Sequence, residues 1–112
     1  MPALHITTNV DLEGIDVDII NTEATSAIAS IIGRPEHLVM VVLNGSVPIS
    51  FTGSKDPAIF AQLISMGGIN SMVKKKLITS LAAIFYSHLS VPPARFFCHV
   101  IDTTAGHPRS KL

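Results

Sequence analysis

The feature that most constrains this 112-residue chain is an internal repeat at a separation of 58 residues. Pro35 falls on Pro93, Leu38 on Phe96 and Ile6 on Ile64, so each half must accommodate the same order of elements. In the first half, Leu4 and Ile6 alternate with His5 and Thr7, which predicts a half-buried strand starting at Pro2, with no leader segment before it. Ile20, Ala24, Ala27, Ile28 and Ile31 recur at three- and four-residue steps and predict a helix over 18–32. Asp16 or Asp18 would cap it, Gly33 stops it and Pro35 follows. The continuous apolar run from Leu38 to Leu43 predicts a strand buried on both faces. After the Asn44-Gly45 turn, Val47-Pro48-Ile49-Ser50-Phe51 predicts a short strand that Pro48 confines to an edge or a bulge.

In the second half, Ala58–Ile64 is ambiguous between helix and strand by periodicity, and its alignment with the opening strand decides for strand. Met72–Leu89 is an amphipathic helix through Met72, Val73, Leu77, Leu81, Ile84, Phe85 and His88. Pro92-Pro93 ends it, and Phe96–Ile101 is another strand. The expected fold is therefore α+β, one domain over residues 1–102 made of two tandem βαβ units. Their four strands form a sheet with both helices on one face. No third helix remains for the other face, and a second copy of the chain is the expected cover.

Composition narrows the function classes. At 47% hydrophobic and 14% charged residues the chain builds a compact core, with more aliphatic surface than so small a body hides alone. A net charge of zero and the lack of a basic stripe argue against nucleic acid or an anionic membrane as partner. No apolar run reaches the roughly 18 residues of a membrane span. Cys98, the single cysteine, excludes an intramolecular disulfide and a cysteine-based zinc site, and its neighbours Phe96, Phe97 and Val100 mark it as an inert strand thiol. His5, His37, His88, His99 and His107 show no ligand spacing, so neither a metal nor another cofactor is expected.

Several short motifs occur in a telling order: Met1-Pro2, Thr8-Asn9-Val10, Gly33-Arg34-Pro35, Phe51-Thr52-Gly53-Ser54 with Pro57, Ser65-Met66-Gly67 and Pro93-Ala94-Arg95. With the tandem halves, they resemble the macrophage migration inhibitory factor family of the tautomerase superfamily, in particular plant-type, D-dopachrome tautomerase-like members. The resemblance implies a homotrimer whose sheets wrap a central channel. It also implies keto–enol tautomerisation of phenylpyruvate-type 2-oxo acids, with Pro2 as general base once Met1 is removed. A base works best with its pKa near the working pH. Apolar surroundings from Leu4, Met66 and Phe97 and the charge of Arg34 would favour the neutral amine.

By the same resemblance Arg34 takes the place of a substrate-binding lysine and can grip a carboxylate bidentately. Ser65 and the backbone N–H of Met66 would contact the substrate. Phe97 and His99 stand where animal members have a tyrosine and an asparagine contributed by the neighbouring subunit. Phe97 cannot donate a hydrogen bond and His99 would substitute for an amide, so a weakened activity is expected. The alternative is a catalytically degenerate interaction or signalling protein of the same fold. The family's two-cysteine redox motif maps to Ala58–Ala61, where no thiol stands, so an oxidoreductase role has no basis.

Plainer roles compete with these. In these Pro2 serves only to start a strand, Arg34 to complement a helix C-terminus, Met66 to fill a gap and His99 to pack. Lys74-Lys75-Lys76 reads as a solvated helix face. Residues 103–112 read as an exposed tail. It ends in Ser110-Lys111-Leu112, the signal read by the peroxisomal import receptor, so the expected location is the peroxisome with a cytosolic pool.

Overall fold

The structure, a computed structural model, describes residues 1–104. Four strands and two helices follow one another as β1 (Ala3–Thr8), α1 (Val17–Ile32), β2 (Met40–Asn44), β3 (Ile59–Ser65), α2 (Ser71–Leu89) and β4 (Phe96–Asp102). The sheet order is β2-β1-β3-β4. Within each βαβ unit the strands are parallel, β1 with β2 and β3 with β4, and the two units join through an antiparallel β1–β3 pair. The sheet is therefore mixed, a point on which the repeat is silent because each unit satisfies the pattern in either relative direction.

Local chemistry sets the helix limits. Asp16 caps α1 by accepting from Ile19 N at 3.2 Å, and Gly33 ends it in the left-handed conformation at φ 81°. Asn70 caps α2 by accepting from Val73 N at 2.8 Å, and Ser90 closes that helix, also left-handed. The prolines at 92 and 93 shape the 3₁₀ turn that follows.

Two sequence expectations are corrected. The run from Leu38 to Leu43 is not buried on both faces: Glu36–Leu38 form a 3₁₀ turn, and β2 is an edge strand whose alternate residues Met40 and Val42 are exposed. Its apolar character on both sides reflects one helix-covered face and one open face. Residues 47–50 form no strand, and Phe51 only bridges to Ser54. The alternation there lacks a partner strand among the described residues, and Pro48 lacks the N–H that a ladder needs.

Both helices cover one face of the sheet. Leu4, Ile6, Ala61, Leu63, Phe96 and Val100 from the strands meet Ile20, Ala24, Ile28, Leu77, Leu81 and Phe85 from the helices in a single core. Phe85 is fully buried and stacks on Phe96, with ring centroids 5.9 Å apart. Thr8, buried among these groups, donates its hydroxyl to Ala58 O at 2.8 Å and accepts from Val10 N at 3.2 Å, so its polarity is satisfied.

The opposite face is bare. Register sets three rows across it: Asn44–Thr7–Phe60–Phe97, Val42–His5–Gln62–His99 and Met40–Ala3–Ile64–Ile101. Phe60 and Phe97 stack at 5.5 Å and remain 44% and 51% exposed. The middle row carries His5, Gln62 and His99, and His5 Nε2 lies 3.0 Å from Asn44 Nδ2 in the neighbouring row.

Truncating the buried Phe85 to alanine is expected to cost about 3–5 kcal/mol of unfolding free energy, seen as a lower urea midpoint. A loss below about 1 kcal/mol would show that this ring does not anchor the core.

Candidate functional site

The antiparallel β1–β3 pair brings the start of β1 to the end of β3. Ala3 lies opposite Ile64, and the same register carried one step further sets Pro2 beside Ser65. Pro2 is fully buried, and its carbonyl accepts from Met40 N at 2.9 Å, which ties the first residues into the β1–β2 ladder. While Met1 is attached, the Pro2 nitrogen is an amide. Removal of Met1 makes it a secondary amine at the end of a fixed strand.

The loop after β3 is bound on several sides. Ser65 is buried and donates its hydroxyl to Gly67 O at 2.8 Å, so its proton serves the loop. Ser65 O accepts from Thr103 N at 2.8 Å on the β4 side. In a trans peptide the N–H points opposite the carbonyl, so the Met66 N–H is directed to the other side, toward β1 and Pro2. The Met66 side chain is 64% exposed.

Arg34 reaches this loop from beyond α1. Its Nη2 donates to Met66 O at 3.2 Å, so the guanidinium serves the strand-end loop rather than the carbonyls of its own helix. Gly67 and Gly68 both have φ of 81°. A side chain on Gly68 would come within 3.0 Å of Ile32 Cγ2 and 3.5 Å of both terminal nitrogens of Arg34. Glycine thus lets the backbone lie directly against the guanidinium.

Pro2, Ser65, Met66 and Arg34 therefore collect at one end of the sheet. Phe97 and His99 do not join them within one chain. Phe97 is level with Phe60 and Thr7, five residues along β1 from Pro2, or about 16 Å at the usual rise per strand residue. His99, level with His5, is about 10 Å along by the same measure. Leu4, two residues along β1, shares the buried face with Pro2, while Phe97, expected from the neighbouring subunit, lies at the far end of the sheet within one chain. Alternation along β1 and the parallel β3–β4 register cause both placements.

At that far end, Phe97 borders a cleft of about 290 Å³ with Ile49, Phe51 and Phe60. Its rim is held by Arg95, whose guanidinium donates to the carbonyls of Pro57, Phe51, Ser54 and Asp56 and to Thr52 Oγ1. The Arg95 cation also lies 5.2 Å from the centroid of Phe51. Motif spacing marks residues 51–57 and Arg95 as a set, but only the fold reveals that one supports the other.

Burial pushes the Cys98 thiol up to about 11 against a small opposing pull from Lys74, so at neutral pH it is no nucleophile. Lys74, Lys75 and Lys76 are exposed on α2. Among the described residues no group of three His, Cys, Asp or Glu side chains converges as a metal site, and no helix is long and apolar enough to cross a membrane. Ser110, Lys111 and Leu112, expected from the sequence to carry the targeting signal, lie outside the described residues.

The family model for macrophage migration inhibitory factor (MIF) matches residues 1–107. The MIF homolog of Trichuris trichiura is 33% identical over 102 residues, spanning 91% of this chain and 89% of that protein. The solved MIF structure of Trichinella spiralis is similar at a TM-score of 0.82 and 25% identity, covering 89% of this chain and 88% of that one. The MIF homologue from Prochlorococcus marinus reaches a TM-score of 0.86 at 23% identity, over 90% of this chain and 88% of its own, a likeness of fold alone.

Proposed function

The chain belongs to the macrophage migration inhibitory factor family, and from that premise we propose that it is a keto–enol tautomerase of phenylpyruvate-type 2-oxo acids with Pro2 as its base. The observation that carries this reading is the Ser65 carbonyl held by Thr103 N–H, which turns the Met66 N–H toward Pro2, while Arg34 grips the same loop. A 2-oxo acid fits such an end. Its carboxylate meets the guanidinium, and Met66 N–H supplies a fixed donor beside it. The Pro2 amine, freed of Met1, takes a proton from the carbon next to the ketone. That proton is then delivered to the ketone oxygen, giving the enol, and the reverse sequence restores the keto acid. Burial and the Arg34 charge both favour the neutral amine that the first step requires.

The working assembly in this reading is a homotrimer. The bare sheet face supplies apolar surface for it, and the distance of Phe97 and His99 from Pro2 suits a site completed by the neighbouring subunit. With no phenol at Phe97 to donate a hydrogen bond, turnover is slow and the ring acts as an apolar wall. Placement among plant-type, D-dopachrome tautomerase-like members rests on the sequence resemblance. Location in the peroxisome rests on Ser110-Lys111-Leu112.

On protein whose Met1 removal is confirmed by mass, Pro2→Gly is expected to lower kcat/KM for phenylpyruvate by at least about a hundredfold. Equal rates for wild type and variant would remove Pro2 as the base and leave the fold to an interaction role. A fluorescent protein fused ahead of the chain should collect in peroxisomes and become cytosolic when residues 110–112 are deleted. Unchanged distribution after the deletion would refute the tail's role.

A further inference from the structure

The Met66–Gly67 peptide is gripped from both edges. Its carbonyl accepts from Arg34 Nη2 at 3.2 Å, and its N–H donates to Asp102 Oδ1 at 3.0 Å. These groups point in opposite directions in a trans peptide, so a cation and a carboxylate hold one plane between them. The same Asp102 oxygen accepts from Thr104 N at 2.9 Å and Thr104 Oγ1 at 2.7 Å, which fixes the carboxylate in turn.

This peptide needs holding. It leads into Gly67 and Gly68, residues that accept either sign of φ with little steric cost. The rest of the loop has its own ties, through Thr103 N to Ser65 O and Ser65 Oγ to Gly67 O. What those ties leave open is the orientation of the Met66–Gly67 plane. A flip would turn Met66 O away from Arg34 and present the Gly67 N–H to a cation, exchanging attraction for repulsion.

We propose that Asp102 is a positioning residue for the substrate-binding loop: it locks the Met66–Gly67 peptide against Arg34 and so keeps the guanidinium and the Met66 N–H in the relation a 2-oxo acid needs. The proposal rests on the tautomerase reading above for its consequence in catalysis, though the clamp itself is a matter of hydrogen bonding. The three described donors, Gly67 N, Thr104 N and Thr104 Oγ1, meet one oxygen, Oδ1; asparagine keeps an acceptor oxygen there and alanine does not.

The test compares Asp102→Ala and Asp102→Asn in Met1-processed full-length protein, by phenylpyruvate kinetics and by hydrogen exchange at the Gly67 amide. Asp102→Ala should raise KM about tenfold with kcat within about twofold, and speed Gly67 exchange by a similar factor. Asp102→Asn should restore both. Thr104→Val, which removes one anchor of the carboxylate, should give the same signature more weakly and serves if Asp102→Ala does not fold. Wild-type exchange at Gly67 in Asp102→Ala, or an asparagine variant as impaired as alanine in both readouts, would overturn the clamp. Exchange requires no turnover. Wild-type protein inert toward phenylpyruvate would therefore sink the tautomerase reading, while Gly67 still judges the clamp.

Discussion

Covering one face of the sheet uses both helices of the described chain. Leu4, Ile6, Ala61 and Leu63 are sealed beneath Ile20, Ile28, Leu77 and Phe85, and the core is complete on that side. On the other side Met40, Val42, Phe60, Ile64 and Phe97 remain exposed, an apolar surface that a lone protomer would present to water. At about 25 cal/mol per Å² of apolar area, hiding side chains of this size is a strong drive to associate. The sheet edges add to it, since among the described residues β2 and β4 each leave one row of backbone groups without a strand beside them.

The antiparallel join between the two βαβ units gives that surface its functional meaning. Because β1 and β3 run in opposite directions, the start of the first strand of one unit meets the end of the first strand of the other, and Pro2 comes beside Ser65. The parallel β3–β4 pair then sends Phe97 to the opposite end, against Phe60. One protomer thus carries Pro2, Arg34 and the strand-end loop at one end and an aromatic cleft at the other. In the homotrimer proposed above, packing of neighbouring copies is what would bring these two ends together.

Much of this was legible in the chain because it is written locally. Asp16 and Gly33 mark helix ends by hydrogen bonds and backbone angles confined to a few residues, and the 58-residue repeat carries the strand–helix–strand order. The edge position of β2 was not legible, since a residue facing an open sheet side and one facing a core are equally apolar when the open side is itself meant to be covered. The same pattern made Val47–Phe51 look like a strand although no strand pairs with it among the described residues. At the site, motif resemblance singled out Pro2, Arg34 and Met66. The supports were missed. Asp102 reads as an ordinary polar residue at a strand end, and its role depends on the β3–β4 register, which sets it opposite Ser65. Arg95 likewise belongs to a recognised tripeptide, while the carbonyls it gathers come from a loop about forty residues away in sequence.

The central claim is that the open face is closed by further copies of the chain, so that Pro2 of one and Phe97 of another share a site. Sedimentation velocity of the full-length protein at low micromolar concentration measures this directly. A single boundary at three times the chain mass is the predicted result. A folded, stable monomer under those conditions would contradict the account, because the two halves of the site would then remain at opposite ends of one sheet.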